Sequence, residues 1–275
     1  MKVLQKIKEL NFPKDQYVVV GSGILDVLGI RKSNDIDIAV TESLHKKLKE
    51  SGEWEEHKRY ELIRVFLKKD VYEIIPQLNW ENYNTTTEEA ISSAIIIEDI
   101  SFMNLNELIK FKTALGREKD FKDIELIKEY LNKLEKRVRA LIIEDEKVLL
   151  MHRFKNGHEY WVFPGGGIDD TDKSLEDGLK RECLEELGVV IEVGDLLMEK
   201  FYVLDNSQGQ IQYFYNCKII SGKVGTGTGP EWNGRDIEKY GTYEVVWMPV
   251  LELKDKTVYP FEVRDKIINK FNKEL

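Results

Sequence analysis

Apolar residues recur along this chain at two spacings, one typical of helices and one typical of strands. The helical spacing is clearest at Leu105, Leu108, Ile109 and Leu115, which form one apolar stripe. It predicts helices at about 2–10, 23–30, 43–51, 104–115, 119–134, 174–187 and 260–273. Short apolar or alternating runs predict strands at about 17–20, 35–40, 60–67, 70–76, 137–144, 147–153, 160–163, 190–206, 211–220 and 243–249. This mixture predicts an α/β protein with mixed (α+β) sheets.

The length of the chain predicts two domains. Its 275 residues are many for one domain, and 42% hydrophobic residues are enough to build a sizeable core. A charged run at residues 132–139 contains no Pro or Gly, so we expect a helix to pass there directly into a strand. We therefore predict domains at residues 1–134 and 135–275.

Charge and cysteine content narrow the range of partners and compartments. The net charge is −9 and neither half of the chain is basic, which argues against an extensive nucleic-acid surface. The cysteines are Cys183 and Cys217, and Cys183 lies on the apolar side of a predicted helix, so a disulfide framework is not expected. No apolar run approaches the roughly 20 residues that span a bilayer, and no signal-peptide core is present. We expect a cytoplasmic protein with no membrane partner; nothing in the sequence indicates an oligomeric state.

A glycine-rich stretch at residues 165–167 precedes a helix that carries three carboxylates. Glu182, Glu185 and Glu186 stand at i, i+3 and i+4, so they project from one face of this helix. Carboxylates this close repel one another unless a divalent cation neutralises them, and magnesium shared with substrate phosphates is a common solution. Most acidic helix turns are solvated faces. The glycines before the helix and the Leu-Gly pair at 187–188 favour a metal site instead.

These residues resemble the Nudix box, in which a Gly and a spaced Glu precede Arg-Glu-apolar-x-Glu-Glu-x-Gly-apolar. The resemblance implies that Gly167 opens the box and that Arg181 and Glu182 begin its second half. It also implies that Glu185 and Glu186 are the principal ligands of Mg²⁺ or Mn²⁺, assisted by Glu182 and the carbonyl of Gly167. A Nudix α/β/α sandwich would then occupy about residues 136–275 and would cleave a nucleoside diphosphate linked to another moiety.

The chain departs from the box pattern at Lys173, where the family has a Glu that pairs with the box Arg. The candidates to supply this carboxylate instead are Asp170, Asp172 or Glu176, and Lys173 would then reach a substrate phosphate. The family often recruits a further Glu from a loop, and Glu231 is a candidate general base or extra ligand. A plain loop carboxylate is slightly favoured for Glu231 because the spacing fixes no position.

A second group of carboxylates lies in the first half of the chain. The predicted strand at 17–20 runs into Gly21 and Ser22, a small-residue turn of the kind that binds phosphate. Asp35 and Asp37 stand two residues apart on the next strand, so both point to one face. Two adjacent carboxylates among apolar residues are costly without a cation. A metal site for phosphoryl or nucleotidyl transfer is therefore a physical reason to retain them.

Gly21, Ser22, Asp35 and Asp37 resemble the motif of the DNA polymerase β nucleotidyltransferase superfamily, whose members transfer a nucleoside monophosphate from a nucleoside triphosphate to an acceptor hydroxyl. The resemblance implies a third carboxylate, for which Glu73 is the first candidate. The second candidate is Asp70, and the basic residues that would contact a triphosphate, or else form solvated surface, are Lys112, Arg117 and Lys119.

Two other functions remain open. One is a nucleotidyltransferase acting on RNA, protein or a small molecule, with the Nudix domain as a ligand sensor. The other is an interaction protein with both sites silent, which the intact carboxylate sets disfavour.

Overall fold

A computed structural model describes residues 3–58, 64–80, 82–203, 209–229, 238 and 241–274. The chain divides into two compact units, Met1–Leu134 with Phe201–Gly209, and Glu135–Lys200 with Gln210–Leu275. Each unit contains a mixed sheet with helices, so the predicted mixed α/β class is confirmed. No helix among the described residues is long and apolar enough to cross a membrane.

The first unit is built around one sheet of seven strands. Its elements are α1 (Val3–Leu10), β1 (Tyr17–Val20), α2 (Gly23–Val27), β2 (Ile36–Val40), α3 (Glu42–Glu50), β3 (Glu55–Lys58), β4 (Val65–Lys69), β5 (Tyr72–Ile75), α4 (Thr87–Ser92), β6 (Ile95–Ile97), β7 (Ile100–Phe102), α5 (Leu105–Leu115) and α6 (Glu118–Lys133). The strand order is β3-β4-β5-β2-β1-β7-β6. β1 is buried at all four positions because β2 and β7 flank it, and β2 lies between β1 and β5.

Several elements of the first unit differ from the prediction, among them β3 (Glu55–Lys58), which no predicted strand covers. The hairpin of β6 and β7 was not predicted, because each strand has only three residues. Helix α4 was also missed, although Thr86 and Glu89 form a reciprocal capping box at its start. The predicted strand at 60–67 lies partly outside the described residues, and β4 continues beyond it to Lys69.

The second unit begins directly after α6, which ends at Lys133. Its elements are β8 (Glu135–Glu144), β9 (Lys147–Lys155), β10 (His158–Val162), α7 (Leu175–Leu187), β11 (Val189–Val203), β12 (Gly209–Gly222), β13 (Thr242–Pro249), a 3-10 helix (Val250–Asp255), β14 (Val258–Tyr259) and α8 (Phe261–Glu274). The strand order is β11-β12-β8-β9-β10-β14, and β13 pairs with β9. β8 and β12 run parallel, whereas β10 and β13 run antiparallel to β9.

Two apolar cores lie on opposite faces of this second sheet. Leu149 and Met151 of β9 pack with residues of α7, whereas Val148 and Leu150 pack with residues of α8. Since side chains alternate along a strand, the helices cover the two faces. The second unit is therefore an α/β/α sandwich with α7 on one side.

Candidate functional site

The glycine-rich loop of the second unit lies along β8 as an extended segment. Val138 N donates to the Gly166 carbonyl at 2.9 Å, and Ala140 N donates to the Pro164 carbonyl at 2.9 Å. Gly165 has φ +124°, and a Cβ there would overlap the carbonyl oxygen of Val138. Only glycine accommodates both the positive φ and this close approach, so the backbone path of the loop depends on its sequence.

Helix α7 carries the three predicted carboxylates. Its first turn is capped by Ser174, whose side chain accepts from Asp177 N, and it ends at Gly188 with φ +75°. Glu186 is buried, and its Oε2 accepts from Gly165 N at 2.7 Å. The Glu182 carboxylate packs against Gly166, where a Cβ would overlap it. The structure therefore brings two of the three glutamates against the glycine-rich loop.

Arg181 links the loop to the helix. Its guanidinium donates to both carboxylate oxygens of Asp172, at 3.1 and 2.9 Å, and to the carbonyl of Gly167 at 2.9 Å. It also donates to Glu182 and Glu185, each at 3.1 Å. These interactions, led by the hydrogen bonds to Asp172, raise the pKa of Arg181. The same hydrogen bonds lower the pKa of Asp172, against the opposing effect of burial.

Asp172 therefore supplies the carboxylate that pairs with the box arginine. Its side chain is only 6% exposed, and it approaches α7 where Gly178 leaves room: a Cβ on Gly178 would lie 2.9 Å from Asp172 Oδ2. Lys173 and Asp170 are exposed, and the pKa of Glu176 is lowered chiefly by backbone and Ser174 hydrogen bonds at the start of α7. The sequence left the choice open because all three acidic candidates lie within a few residues of Lys173.

The donors around the box suit a hard divalent cation, because they are carboxylate and carbonyl oxygens. Within the described part of the chain, however, no group of three or more His, Cys, Asp or Glu residues is gathered closely enough to hold a metal ion. At the box, the guanidinium of Arg181 lies 3.1 Å from a carboxylate oxygen of Glu182 and 3.1 Å from one of Glu185. Arg181 also donates to Asp172 and to the Gly167 carbonyl, so its position does not depend on these two contacts alone.

A second glycine-rich segment closes the far end of α7. Gly229 N donates to the Glu185 carbonyl at 2.9 Å, and Gly225 N donates to the Leu187 carbonyl at 3.0 Å. These bonds satisfy backbone carbonyls that the end of a helix leaves unpaired. Glu231 lies outside the described residues, so its proposed role stays a prediction.

In the first unit, the structure brings three of the predicted residues together. Asp37 lies directly beside Glu73 in the parallel register of β2 and β5, so both side chains point to the same face. Asp37 also packs against Gly21, where φ is +65° and a Cβ would overlap its carboxylate. Asp35 precedes β2, and Asp70 is an exposed turn residue with φ +52°.

Arg31 is a residue of this region that the sequence analysis missed. Its guanidinium donates to Ser22 Oγ at 2.6 Å and to both carboxylate oxygens of Asp123, at 2.5 and 2.7 Å. These hydrogen bonds to Asp123, with smaller contributions that include the charge of Asp35, raise the pKa of Arg31 against the effect of burial. No local pattern in the sequence indicated this role, because Arg31 and Asp123 are 92 residues apart.

Lys112 and Arg117 belong to one network of ion pairs, in which Lys112 and its aspartate partners are buried and Arg117 is exposed. Lys112 Nζ lies 2.7 Å from Asp123 Oδ2 and 3.4 Å from Asp120 Oδ1, and its side chain is 3% exposed. Arg117 pairs with Asp120 at 2.6 Å, and Lys119 is exposed. Lys112 is thus neither solvated surface nor an open phosphate contact, because two buried carboxylates surround its ammonium group.

Comparison with known proteins identifies a family for the second unit. Residues 133–268 match the family model described as NUDIX domain. A curated relative, the U8 snoRNA-decapping enzyme of Xenopus laevis, is 32% identical over 99 residues, which cover 34% of this chain and 45% of that protein. The matched part of this chain therefore spans less than half the length of that relative.

Solved structures that resemble the chain include two proteins from bacteria. The ORF135 protein of E. coli has 22% identity and a TM-score of 0.37, covering 51% of this chain and 90% of that chain. A NUDIX hydrolase from Nitrosomonas europaea has 19% identity and a TM-score of 0.38, covering 52% of this chain and 90% of that chain.

The matched segment includes the glycine-rich loop, α7 and the arginine that joins them. Nudix hydrolases act on diphosphate bonds of small nucleotide substrates and generally use divalent metals such as Mg²⁺ or Mn²⁺. The predicted family of the C-terminal half is confirmed: residues 133–268 of this chain form a Nudix domain.

Proposed function

We propose that residues 135–275 act as a divalent-metal-dependent pyrophosphohydrolase that cleaves a nucleoside diphosphate linked to another moiety. The observation that carries this proposal is the set of hydrogen bonds made by Arg181. They join Asp172, the Gly167 carbonyl, Glu182 and Glu185, so the loop and the acidic face of α7 form one ordered site despite the departure at Lys173.

Glu185 and Glu186, assisted by Glu182 and the Gly167 carbonyl, would hold Mg²⁺ or Mn²⁺. When bound, the metal supplies positive charge for the diphosphate and lowers the pKa of a coordinated water. Glu186 is already oriented by the N–H of Gly165 at 2.7 Å. The remaining two glutamates are oriented by Arg181, which stays fixed through Asp172.

Two further residues have proposed roles around the metal site. Lys173 is exposed beside the loop, which supports a contact with a substrate phosphate in place of the usual pairing with the box arginine. Glu231 remains the candidate general base. Gly229, two residues before it, donates its N–H to the Glu185 carbonyl.

The test is hydrolysis by the full chain with Mg²⁺ or Mn²⁺. The substrate panel contains ADP-ribose, nucleotide sugars, dinucleoside polyphosphates, nucleoside triphosphates and, because of the relative's name, capped RNA. The Glu185→Gln/Glu186→Gln variant should lose about two orders of magnitude in kcat/KM or more. Asp177→Asn removes a charge from the same helix, at a half-exposed side chain that pairs with Lys180 at 3.9 Å, and should retain activity. Hydrolysis that persists in the double variant would contradict the assignment.

We also propose that residues 1–134 form a nucleotidyltransferase-like domain that binds a nucleoside triphosphate and transfers its nucleoside monophosphate. The pairing of Asp37 with Glu73 beside Gly21 supports it, because carboxylates held side by side at a small-residue turn suit metal-bound phosphates. Asp35, Asp37 and Glu73 would hold Mg²⁺ or Mn²⁺, and Ser22 would contact phosphate.

Labelled nucleoside triphosphates test this second proposal. Asp35→Ala/Asp37→Ala should abolish transfer, Glu73→Gln should weaken it strongly, and Asp70→Asn should leave it unchanged because that side chain lies in an exposed turn. If every version including the wild type neither consumes nor transfers nucleotide, the unit is not a transferase. Transfer without any hydrolysis would favour the alternative in which the Nudix domain is a ligand sensor.

A further inference from the structure

The carbonyl groups of the glycine-rich loop alternate between two sets of donors. Those of Pro164 and Gly166 accept from backbone N–H groups of β8, as a neighbouring strand would. The carbonyls of Phe163, Gly165 and Gly167 instead accept hydrogen bonds from arginine side chains. All five consecutive carbonyls of residues 163–167 are therefore hydrogen-bonded, which fixes the backbone of the segment.

Arg139 is the arginine that holds the first half of the loop. Its Nη1 donates to the carbonyls of Phe163, at 3.4 Å, and Gly165, and its Nε donates to Gln212 Oε1 at 3.3 Å. The neighbouring side chains of Val138 and Ala140 pack beneath α7, so alternation along β8 places Arg139 on the opposite face. Arg139 thus holds the loop from the face opposite the acidic helix.

The peptide between Pro164 and Gly165 lies between these two arginine-bound carbonyls. Its carbonyl accepts from Ala140 N, and in a planar trans peptide the N–H points the opposite way. That N–H belongs to Gly165 and donates to Glu186 Oε2 at 2.7 Å. The orientation of the buried Glu186 carboxylate therefore depends on the Pro164–Gly165 peptide plane. Arg139 donates to the carbonyls of the peptides on either side of that plane.

We propose that Arg139 is a positioning residue of the hydrolase: it fixes the peptide plane at Pro164–Gly165, and through the Gly165 N–H it orients Glu186 for metal binding. The inference rests on the proposed pyrophosphohydrolase function. Arg139 makes no contact with the reacting atoms in this account and acts only through the loop. Nothing in the Nudix-box pattern includes it, because it lies on β8, before the loop in sequence.

The experiment compares Arg139→Met and Arg139→Lys with the control Arg137→Met in the full chain. Arg137 lies on the same face of the same strand, but its guanidinium lies near Glu135, at 3.7 Å. Three quantities are measured: hydrogen exchange of the peptide covering residues 163–168 without metal, Mn²⁺ affinity from a direct titration, and kcat and KM separately.

Arg139→Met should accelerate exchange in that peptide by about tenfold, because a charge-assisted donor to two carbonyls is lost. It should weaken Mn²⁺ binding and lower kcat by about 10- to 100-fold, as loss of an orienting partner of a metal ligand does, with a smaller change in KM. Arg139→Lys, which retains one cationic donor group, should recover part of each effect, and Arg137→Met should match the wild type.

Exchange and Mn²⁺ affinity within twofold of the wild type in Arg139→Met would overturn the proposal. So would a uniform rise of exchange throughout the second unit, because it would assign Arg139 a general role in stability. If Arg139→Met does not fold, Arg139→Lys decides by the same readouts. A wild-type chain that binds Mn²⁺ but hydrolyses none of the panel would refute the proposed function, while exchange and affinity would still decide the role of Arg139.

Discussion

Replacing Asp172 by asparagine is expected to weaken the link between Arg181 and the segment before α7 with almost no change of shape, while the hydrogen bond from Arg181 to the Gly167 carbonyl remains. Asp172 accepts two hydrogen bonds from Arg181, at 3.1 and 2.9 Å, and one from Asp169 N at 2.8 Å. An asparagine side chain keeps one carbonyl oxygen, but its amide group would face a guanidinium donor. The variant therefore loses the negative charge and one of the two arginine contacts.

The structure sets the size of the effect. The Asp172 side chain is 6% exposed and that of Arg181 is 24% exposed, so solvent screens this pair only partly. Hydrogen bonds to charged groups contribute about 1.5–3 kcal/mol, and we expect the free energy of unfolding of the second unit to fall by about 2 kcal/mol. Hydrolysis should fall about 10- to 100-fold, because Asp172 orients a partner of the metal ligands.

Lys173→Glu is the informative comparison. It restores the residue type of the family pattern at the family spacing, but the side chain there is exposed. We expect a change in unfolding free energy of less than about 0.5 kcal/mol, and no rescue of Asp172→Asn in the double variant. The measurement is pulsed hydrogen exchange along a urea series, which reports on each unit separately, together with kcat/KM. Rescue by Lys173→Glu would refute the assignment of the pairing to Asp172.

The pH dependence gives an independent check. The Arg181 hydrogen bonds keep the pKa of Asp172 below its usual value, so the stabilisation is fully present above the unfolded-state pKa of about 3.9. It is lost as the pH falls through the lower folded-state pKa. The difference in unfolding free energy between wild type and Asp172→Asn should thus be constant from about pH 5 to 8 and shrink below about pH 4. A difference that persists at full size at pH 2 would contradict this linkage.

Three further results are expected. Lys112→Met removes a cation between two buried carboxylates and should lower the free energy of unfolding of the first unit by about 3 kcal/mol; Lys122→Met, at an exposed pair, should change it by less than about 0.5 kcal/mol in the same urea titration. Gly166→Ala should displace the Glu182 carboxylate packed against Gly166 and lower kcat by about 100-fold, with little loss of stability. The control is Gly167→Ala, whose Cβ meets nothing within 4 Å and which should retain activity. Equal losses of activity in both variants would contradict the steric explanation. Burial raises the pKa of the Cys217 thiol to about 12, so it should resist iodoacetamide at pH 8 in the native protein and react after denaturation; fast native labelling, read by mass spectrometry, would show the thiol to be accessible.

Features that depend on neighbouring residues were predictable from the sequence. The spacing of Glu182, Glu185 and Glu186 places them on one helix face because an α-helix has 3.6 residues per turn. Alternation along the strands predicted most strands of the two sheets, and the glycines at 165–167 indicated a loop before α7. The confirmed α/β class and Nudix domain rest on such local patterns, in which backbone geometry alone relates sequence to position.

Tertiary structure decided which partners these local elements meet. The spacing of the box places the acidic partner of the arginine at position 173, which is a lysine in this chain. The path of the loop brings Asp172 to Arg181 instead, and Gly178 makes this close approach possible. Lys112 looked like a surface cation until the packing of α5 and α6 enclosed it between buried carboxylates. Such pairings join residues on different elements, or change when a loop shifts by one residue. A periodic sequence pattern encodes neither of these. The sequence determined which faces carry charge, and only folding determined which charges are in contact.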